Sequence, residues 1–98
     1  MTKLRLAPRL AMDIDRIAAH LQVHEVEDIE ERIQSILDAL DILVKHPHLG
    51  RPAPRGRREL VIGRAAKGYV AQYRYDELED TVVVTALRSQ REAGFVDR

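Results

Sequence analysis

The run Gly68-Tyr69-Val70-Ala71-Gln72-Tyr73-Arg74-Tyr75-Asp76 decides the fold of this 98-residue chain. It holds all three tyrosines of the sequence, and aromatic and β-branched side chains favour the pleated, half-buried surface of a sheet. Because side chains alternate along a strand, the run has two faces. One face carries Tyr69, Ala71, Tyr73 and Tyr75, and the other carries Val70, Gln72 and Arg74. We predict a central β-strand here, with its tyrosines in the core.

Three further runs are typical of strands. The valine-rich run from Thr81 to Leu87 follows a short acidic turn at residues 77–80, so we expect it to form an antiparallel hairpin with the central strand. The run from Arg58 to Ile62 precedes the central strand, and we expect it to join the same sheet. The residues from Lys3 to Ala7 alternate between charged and apolar, which favours a short edge strand.

The segment between Pro8 and Pro47 has the periodicity of two helices. The first is expected to begin near Pro8 and to break at residues 22–24, with Asp13, Asp15 and Arg16 outward. Its apolar positions are Leu10, Ile14, Ile17, Ala18 and Leu21. The second is expected to begin at Glu25 and to continue for about five turns. Its apolar stripe is Val26, Ile29, Ile33, Ile36, Leu37, Leu40, Leu43 and Val44.

A helical hairpin with one apolar side needs a sheet to cover it. We therefore predict an α+β fold with the order β-α-α-β-β-β. A short N-terminal strand would be followed by a two-helix antiparallel hairpin, which packs on a small, mainly antiparallel twisted sheet. The length predicts a single domain over residues 1–98.

The composition limits the classes of protein to consider. The absence of Cys excludes disulfide and thiolate chemistry and favours a reducing cytoplasm. The apolar runs are far shorter than a membrane span, and the first residues lack the apolar core of a signal peptide. We expect no cofactor and no metal site, since His46 and His48 alone do not complete a ligand set.

The net charge of zero hides an uneven distribution. Residues 9–44 contain nine acidic and three basic side chains, whereas residues 45–74 contain eight basic and one acidic. A basic patch of this kind raises the local concentration of anionic partners, either nucleic acid or an acidic protein segment. The alternative is a solvated basic surface that the acidic helices balance.

Four segments, in this order, resemble the toxins of the RelE/ParE superfamily, the toxin halves of bacterial type II toxin–antitoxin modules. They are Leu43-Val44-Lys45-His46-Pro47-His48-Leu49-Gly50-Arg51, Arg58-Glu59-Leu60-Val61-Ile62, the run from Gly68 to Tyr75, and Val82-Val83-Val84-Thr85-Ala86-Leu87-Arg88 with Arg91 after it. The resemblance covers nearly the whole chain and implies the same fold. The long helical hairpin and the phrase Arg-Glu-Leu before the tyrosine strand are similar to the ParE branch, the plasmid-stabilisation toxins associated with poisoning DNA gyrase.

The RelE branch of the superfamily cleaves mRNA on the ribosome, and this chain departs from it at three positions. Cleavage by a 2′-hydroxyl needs a base, a cation and an acid. Val70 stands where a RelE-type enzyme carries a strand arginine, and Ser89 stands after the last strand, where ParE- and YoeB-like members often show His or Arg. Phe95 occupies a slot that often holds Tyr and cannot donate a proton. The remaining candidates for catalysis are Arg74, Arg88 and Arg91. The resemblance thus leans away from an enzyme.

The resemblance also implies partners. It points to growth inhibition through a cellular target, with DNA gyrase as the candidate, and to neutralisation by a cognate ParD-like antitoxin. Such an antitoxin joins a DNA-binding domain to a tail that folds on the toxin, so operator DNA would be bound only through the antitoxin, in a hetero-oligomer. The target-binding candidates are Arg58, Arg88, Arg91 and Phe95. The antitoxin-binding candidates are Leu10, Ile14, Ile17, Arg51, Arg58 and Arg74.

Two other functions stay open at the level of sequence. A ribosome-dependent mRNA endonuclease would use Arg74, Arg88 and Arg91. A non-toxic regulatory partner would have lost toxicity and kept antitoxin binding, which also agrees with Val70, Ser89 and Phe95.

Overall fold

The computed structural model describes residues 1–24, 27–64, 67–92 and 94–95. Its elements are β1 (Lys3–Leu6), α1 (Leu10–Val23), α2 (Ile29–Ala39), α3 (Ile42–Lys45), β2 (Arg51–Ala53), a 3₁₀ turn (Pro54–Gly56), β3 (Arg57–Ile62), β4 (Tyr69–Asp76) and β5 (Thr81–Ser89). The order confirms the predicted α+β class, in which a strand and a helical region precede the rest of the sheet. No helix among these residues is long and apolar enough to cross a membrane.

Five strands form one sheet in the order β1-β5-β4-β3-β2. Strands β4 and β5 pair antiparallel, from Tyr69 opposite Ser89 to Asp76 opposite Thr81, which confirms the predicted hairpin. Strand β3 lies antiparallel to β4. Strand β1 lies at one edge, as predicted, and is parallel to β5. The sheet is therefore mainly antiparallel.

The opposite edge is β2, a fifth strand beyond the four that we predicted. Arg51 pairs with Glu59, and Ala53 pairs with Arg57. A three-residue strand with a proline at its centre has no alternation that a sequence pattern can detect. Pro52 is tolerated because an edge strand does not need every N–H for pairing. Pairing with β3, and not local sequence, therefore creates β2.

Helix α1 confirms the first predicted helix, but Asp13 lies inward. The residue is 2% exposed. Its Oδ2 accepts a hydrogen bond from the Leu87 N–H at 3.0 Å, and its Oδ1 pairs with Arg16 Nη1 at 2.7 Å. The prediction that Asp13 points outward was therefore wrong. The helical period could not reveal this, because Leu87 lies 74 residues away in the sequence.

The second predicted helix is divided into α2 and α3. Asp28 adopts a left-handed backbone with φ 55°, and α2 begins only after it. Between the two helices the backbone hydrogen bonds shorten to a three-residue spacing, as from Leu43 N to Leu40 O at 3.0 Å. The continuous five-turn helix was therefore wrong, although Ile36 remains buried with Leu40 and Leu43. The predicted start at Glu25 and the stripe residue Val26 lie outside the described residues.

The core fills the space between the helices and one face of the sheet. The buried side chains in it are Leu10, Ile17, Leu21, Ile36, Leu40, Leu43, Tyr69, Ala71, Tyr73, Val82, Val84 and Leu87. At its centre, the Tyr73 hydroxyl donates to Pro47 O at 2.8 Å and accepts from Gly50 N at 2.8 Å. These two bonds satisfy the buried hydroxyl and fasten the loop before β2 to the sheet.

A bulge at Thr85 decides which side chains of β5 face the core. Tyr73 pairs with Val84 and Gln72 with Ala86, so Thr85 has no opposite residue. The extra residue allows Val84 and Leu87 to share the core face although they are three positions apart. Beyond the bulge, Arg88 lies on the opposite face, across from Val70.

Candidate functional site

The sheet face opposite the helices, called the open face below, carries a row of cations. Arg5 of β1 and Arg74 of β4 flank Val83 of β5 in the strand register, and Lys3 lies two residues along β1. Together with the acidic residues Asp76 and Glu79 and the hydroxyl of Thr81, these cations line an open groove of about 440 Å³. Arg5 and Arg74 are exposed, and neither forms a salt bridge with a described residue. The groove therefore has a mixed lining in which the three cations outnumber the two carboxylates.

Arg88 lies further along the open face and organises the segment after β5. Its Nη1 donates to Ser89 O at 3.3 Å and to Glu92 O at 3.2 Å. Its Cζ lies 5.1 Å from the centroid of the Phe95 ring, a distance suited to a cation–π contact. Its Nε is buried without a hydrogen-bond partner among the described atoms. Arg88 and Phe95, both target-binding candidates, are thus brought together.

A second polar cluster, called the Arg16 network below, holds the same segment from the helix side. Arg16 Nε donates to Glu92 Oε1 at 2.8 Å, and Nη2 donates to Leu87 O at 3.1 Å. Glu92 Oε2 in turn accepts from Ser89 N at 2.7 Å. Partial burial opposes the charge of Arg16, but its hydrogen bonds to Glu92 and Asp13 raise its pKa above the ordinary value. Asp13 completes the cluster. In the sequence, the only sign of this ion pair was that Asp13 lies three residues before Arg16.

The three arginines named as catalytic candidates do not share one site. Arg74 lines the groove of the open face. Arg91 is exposed and lines a different depression of about 400 Å³, together with Arg16, His20 and Tyr69. Arg88 lines neither of these two depressions.

The tyrosines lie on the core face of β4 and are engaged there. Tyr73 is fully buried and Tyr69 nearly so. The Tyr75 hydroxyl donates to Asp80 Oδ1 at 2.6 Å, and Thr2 Oγ1 donates to the same oxygen at 2.7 Å. The hydrogen bond from Tyr75 lowers the pKa of Asp80, and the same bond raises the pKa of Tyr75. No described tyrosine therefore faces the arginines of the open face.

Arg51 and Arg58 support the β2 edge. Arg51 Nη2 pairs with Glu59 Oε1 at 3.0 Å. Arg58 Nη1 donates to Gly50 O at 2.8 Å and to His48 O at 3.2 Å. The Arg58 guanidinium is thus already hydrogen-bonded to two backbone carbonyls. A role of Arg58 in partner binding stays a prediction, and it would compete with this structural role.

The helical positions predicted to contact an antitoxin are mostly buried. Leu10 is 1% exposed and Ile17 is 4% exposed, because both pack into the core. A role of these two side chains in antitoxin binding stays a prediction, which competes with their packing in the core. Ile14 is half-buried. The exposed apolar side chains of the helical region, which the sequence analysis missed, are Met12, Val23 and Ile42.

Comparison with known proteins identifies the family. The family model described as the ParE toxin of the parDE type II toxin–antitoxin system matches residues 4–94. Toxin RelE3 of Caulobacter vibrioides is 32% identical over 92 residues, which cover 94% of this chain and 98% of that protein.

Solved structures share the fold. The chromosomal ParDE system from P. aeruginosa contains a chain that aligns with a TM-score of 0.74 and 24% identity, over 91% of this chain and 96% of that one. The RelBE2 toxin–antitoxin complex from Mycobacterium tuberculosis aligns with a TM-score of 0.61 and 19% identity, over 93% of each chain. The chain described here belongs to the ParE toxin family, within the RelE/ParE superfamily of type II toxins.

Proposed function

We propose that this toxin stops growth by binding an anionic surface of a cellular target, with DNA gyrase as the first candidate, and not by cutting RNA. The observation that carries the proposal is the open face. It presents three cations, Lys3, Arg5 and Arg74, and two carboxylates, Asp76 and Glu79, around one groove, with no tyrosine or histidine among the described lining residues. The excess of cations attracts phosphates or carboxylates, and the described lining has no tyrosine or histidine to act as the general acid.

The chemistry of RNA cleavage explains why this composition favours binding. Attack by a 2′-hydroxyl requires a proton acceptor, and departure of the 5′-oxygen requires a proton donor. Arginine stabilises negative charge well but holds its proton too tightly for either role. Val70, which lies across from Arg88, adds no polar group. The described lining of the groove therefore offers cations and carboxylates, but no tyrosine or histidine to serve as the proton donor that cleavage needs.

We also propose that a cognate antitoxin neutralises the toxin by covering this charged surface with an acidic tail. Lys3, Arg5 and Arg74 supply the positive charge of this surface, and Arg74 is one of the eight basic residues, of sixteen in the chain, that fall in residues 45–74. The related solved structures are toxin–antitoxin complexes. A ParD-like antitoxin would supply the DNA-binding domain, so that the hetero-oligomer reaches operator DNA in the cytoplasm through the antitoxin alone.

The experiment compares gyrase and mRNA as targets with one set of variants. The chain is induced without antitoxin, and the purified protein is assayed for inhibition of gyrase supercoiling and for trapped gyrase–DNA cleavage complexes. We expect the double variant Arg5→Ala/Arg74→Ala to lose about tenfold or more in potency, because two charge-assisted contacts are removed. The control Lys45→Ala/Arg55→Ala removes two exposed cations elsewhere and should inhibit as the parent does.

A second candidate function has one observation in its favour, which is the similarity to Toxin RelE3. It is ribosome-dependent mRNA cleavage. Growth arrest with active gyrase and shortened mRNA would replace the gyrase proposal by this one. Induction without any arrest would leave a non-toxic antitoxin-binding partner as the function and would contradict both forms of toxicity.

A further inference from the structure

A cationic pocket lies at the end of α1, apart from the groove of the open face. Its volume is about 300 Å³. Five side chains that carry or can acquire positive charge line it, and we call them the cationic pocket residues: His20, His24, Arg32, Lys67 and Arg91. Leu21, Tyr69 and Ser89 complete the described lining.

The fold brings these five residues together from four separate segments. His20 lies in the last turn of α1 and His24 directly follows the helix, and their ring centroids lie 4.4 Å apart. Arg32 lies in α2, which packs beside α1. The backbone bond from Gln90 N to Gly68 O, at 2.9 Å, holds the start of β4 beside the segment after β5. Lys67 and Arg91 lie next to the two ends of that bond.

The charges of this pocket are not neutralised by the described residues. Arg16 and Arg51 form salt bridges, with Glu92 and Glu59 respectively. Arg32, Lys67 and Arg91, in contrast, form no salt bridge with a described carboxylate. No Asp or Glu is present among the described lining residues of the pocket. Cations held close together without counter-charges favour an anion between them.

We propose that this pocket binds a phosphate group. A phosphate presents three or more oxygens in a tetrahedral arrangement, so it is matched by donors that approach from several segments, whereas one planar guanidinium is enough for a carboxylate. Arg, Lys, Ser and Tyr side chains are the usual donors to phosphate oxygens. The Ser89 hydroxyl accepts from Arg91 N at 3.2 Å, which leaves its own proton free to donate. The phosphate can belong to a nucleic-acid strand or to a small molecule.

The test titrates the isotope-labelled full-length chain with inorganic phosphate at constant ionic strength and follows its backbone amide resonances. Adenosine 5′-monophosphate and a short single-stranded oligonucleotide are titrated in parallel. The variant Arg32→Gln/Lys67→Gln removes two cations from the pocket, and the control Lys45→Gln/Arg55→Gln removes two from elsewhere. All four side chains are exposed, so folding should be preserved and the net charge of the two variants is equal.

Binding in the pocket should shift the amides of residues 20–24, 32, 67 and 89–91 in a saturable way. The pocket variant should bind phosphate about tenfold more weakly than the control variant. Tighter binding of the oligonucleotide than of inorganic phosphate would assign the source to a nucleic-acid strand, and equal binding would assign it to a free phosphate compound.

Three results would overturn the proposal. They are the absence of localised shifts, an identical response to chloride, and stronger binding of a glutamate-rich peptide than of phosphate at the same amides. None of these readouts involves gyrase or growth. Failure of the phosphate site therefore leaves the proposed target binding untouched, and failure of target binding leaves the phosphate site untouched.

Discussion

At the scale of single residues, Gly50 lies so close to Tyr73 that there is no room for a side chain. A Cβ atom at Gly50 would lie 2.7 Å from Tyr73 Cε1 and 2.9 Å from Glu59 O. Both neighbours are fixed, because Tyr73 is fully buried and Glu59 is paired within the sheet. Glycine is required here by close approach of the chain and not by a left-handed backbone.

We expect Gly50→Ala to lower the free energy of unfolding by about 1–3 kcal/mol, since an added methyl group would overpack the contact with Tyr73. Urea denaturation followed by circular dichroism measures the change. Gly94→Ala is the matched control, because a Cβ there would meet no atom of the described residues within 4 Å, and it should stay within about 0.5 kcal/mol of the parent. Equal stability of the two variants would contradict the contact.

Tyr73 and Asp13 show what a sequence pattern can predict about a single residue and what it cannot. Tyr73 was predicted to be in the core, because aromatic residues in an alternating strand bury their rings. Asp13 was placed outward, because a charged residue is buried only when specific partners satisfy it. Those partners, Leu87 N–H and Arg16, become neighbours only in the folded chain.

At the scale of elements, Asp13 joins α1 to β5. Removing its carboxylate leaves the buried Leu87 N–H without an acceptor and takes one partner from Arg16. We expect Asp13→Ala to cost about 2–4 kcal/mol of unfolding free energy. The control Asp15→Ala, on the exposed side of the same helix, should change it by less than about 0.5 kcal/mol. Thermal or urea unfolding measures both, and similar losses in the two variants would argue against a structural role of the Asp13 carboxylate.

The hairpin between β4 and β5 gives the protein a dependence on pH. Because the hydrogen bond from Tyr75 keeps the pKa of Asp80 below its ordinary value, the ionised carboxylate stabilises the fold at neutral pH. This stabilisation is lost as the pH falls through the lowered pKa. We expect Tyr75→Phe to lower the Tm at about pH 7 and to approach the parent at about pH 3.

The control for this experiment is Tyr69→Phe, since the Tyr69 hydroxyl forms no hydrogen bond with a described residue. Its difference in Tm from the parent should be independent of pH. A constant difference for Tyr75→Phe across the same range would mean that the bond to Asp80 contributes nothing to the pH dependence.

The helices and strands show which elements a local sequence pattern is sufficient to predict. The hairpin of β4 and β5 and the edge strand β1 could be predicted, because alternation and a short acidic turn are local signals. Strand β2 could not be, since three residues around Pro52 become a strand only by pairing with β3. The division between α2 and α3 also has no proline or glycine to mark it, and tight backbone turns at Leu40 and Asp41 produce it.

At the scale of the whole molecule, a net charge of zero is compatible with strong electrostatic steering, because the basic and acidic residues occupy different parts of the chain. We expect the association rate with the cognate antitoxin to fall about tenfold or more between about 0.05 M and 0.5 M NaCl, with a smaller change in the dissociation rate. Stopped-flow or surface-plasmon measurements give both rates.

Two variants of opposite charge test which surface is responsible. Arg5→Ala/Arg74→Ala should reduce the salt dependence, because it removes cations from the open face. Glu30→Gln/Glu31→Gln, which removes two exposed carboxylates at the start of α2, should leave that dependence unchanged or increase it. A salt dependence equal in both variants and the parent would show that the open face does not steer the antitoxin.

The candidate site was only partly predictable at this scale. Arg74 was named from its place on the central strand, but its neighbours Lys3 and Arg5 were treated as the charges of an edge strand. Their meeting with Arg74 depends on the parallel pairing of β1 with β5. Arg91 was grouped with Arg74 and Arg88, whereas the turn after β5 places it in a separate depression. Neither the meeting of Lys3 and Arg5 with Arg74 nor the separate position of Arg91 can be predicted from the order of residues in the sequence.

The pairing of β1 with β5 also constrains when the sheet can form during synthesis of the chain. Lys3 lies opposite Thr81, so the first strand has no partner until the last of the five strands has been synthesised. A nascent chain leaves the ribosome with its N-terminus first. Helices α1 and α2 therefore emerge while the sheet that covers them is incomplete. The groove between Arg5 and Arg74 cannot form on a nascent chain that lacks β5. The five-stranded sheet and its groove are therefore completed only after the ribosome has translated Thr81–Ser89.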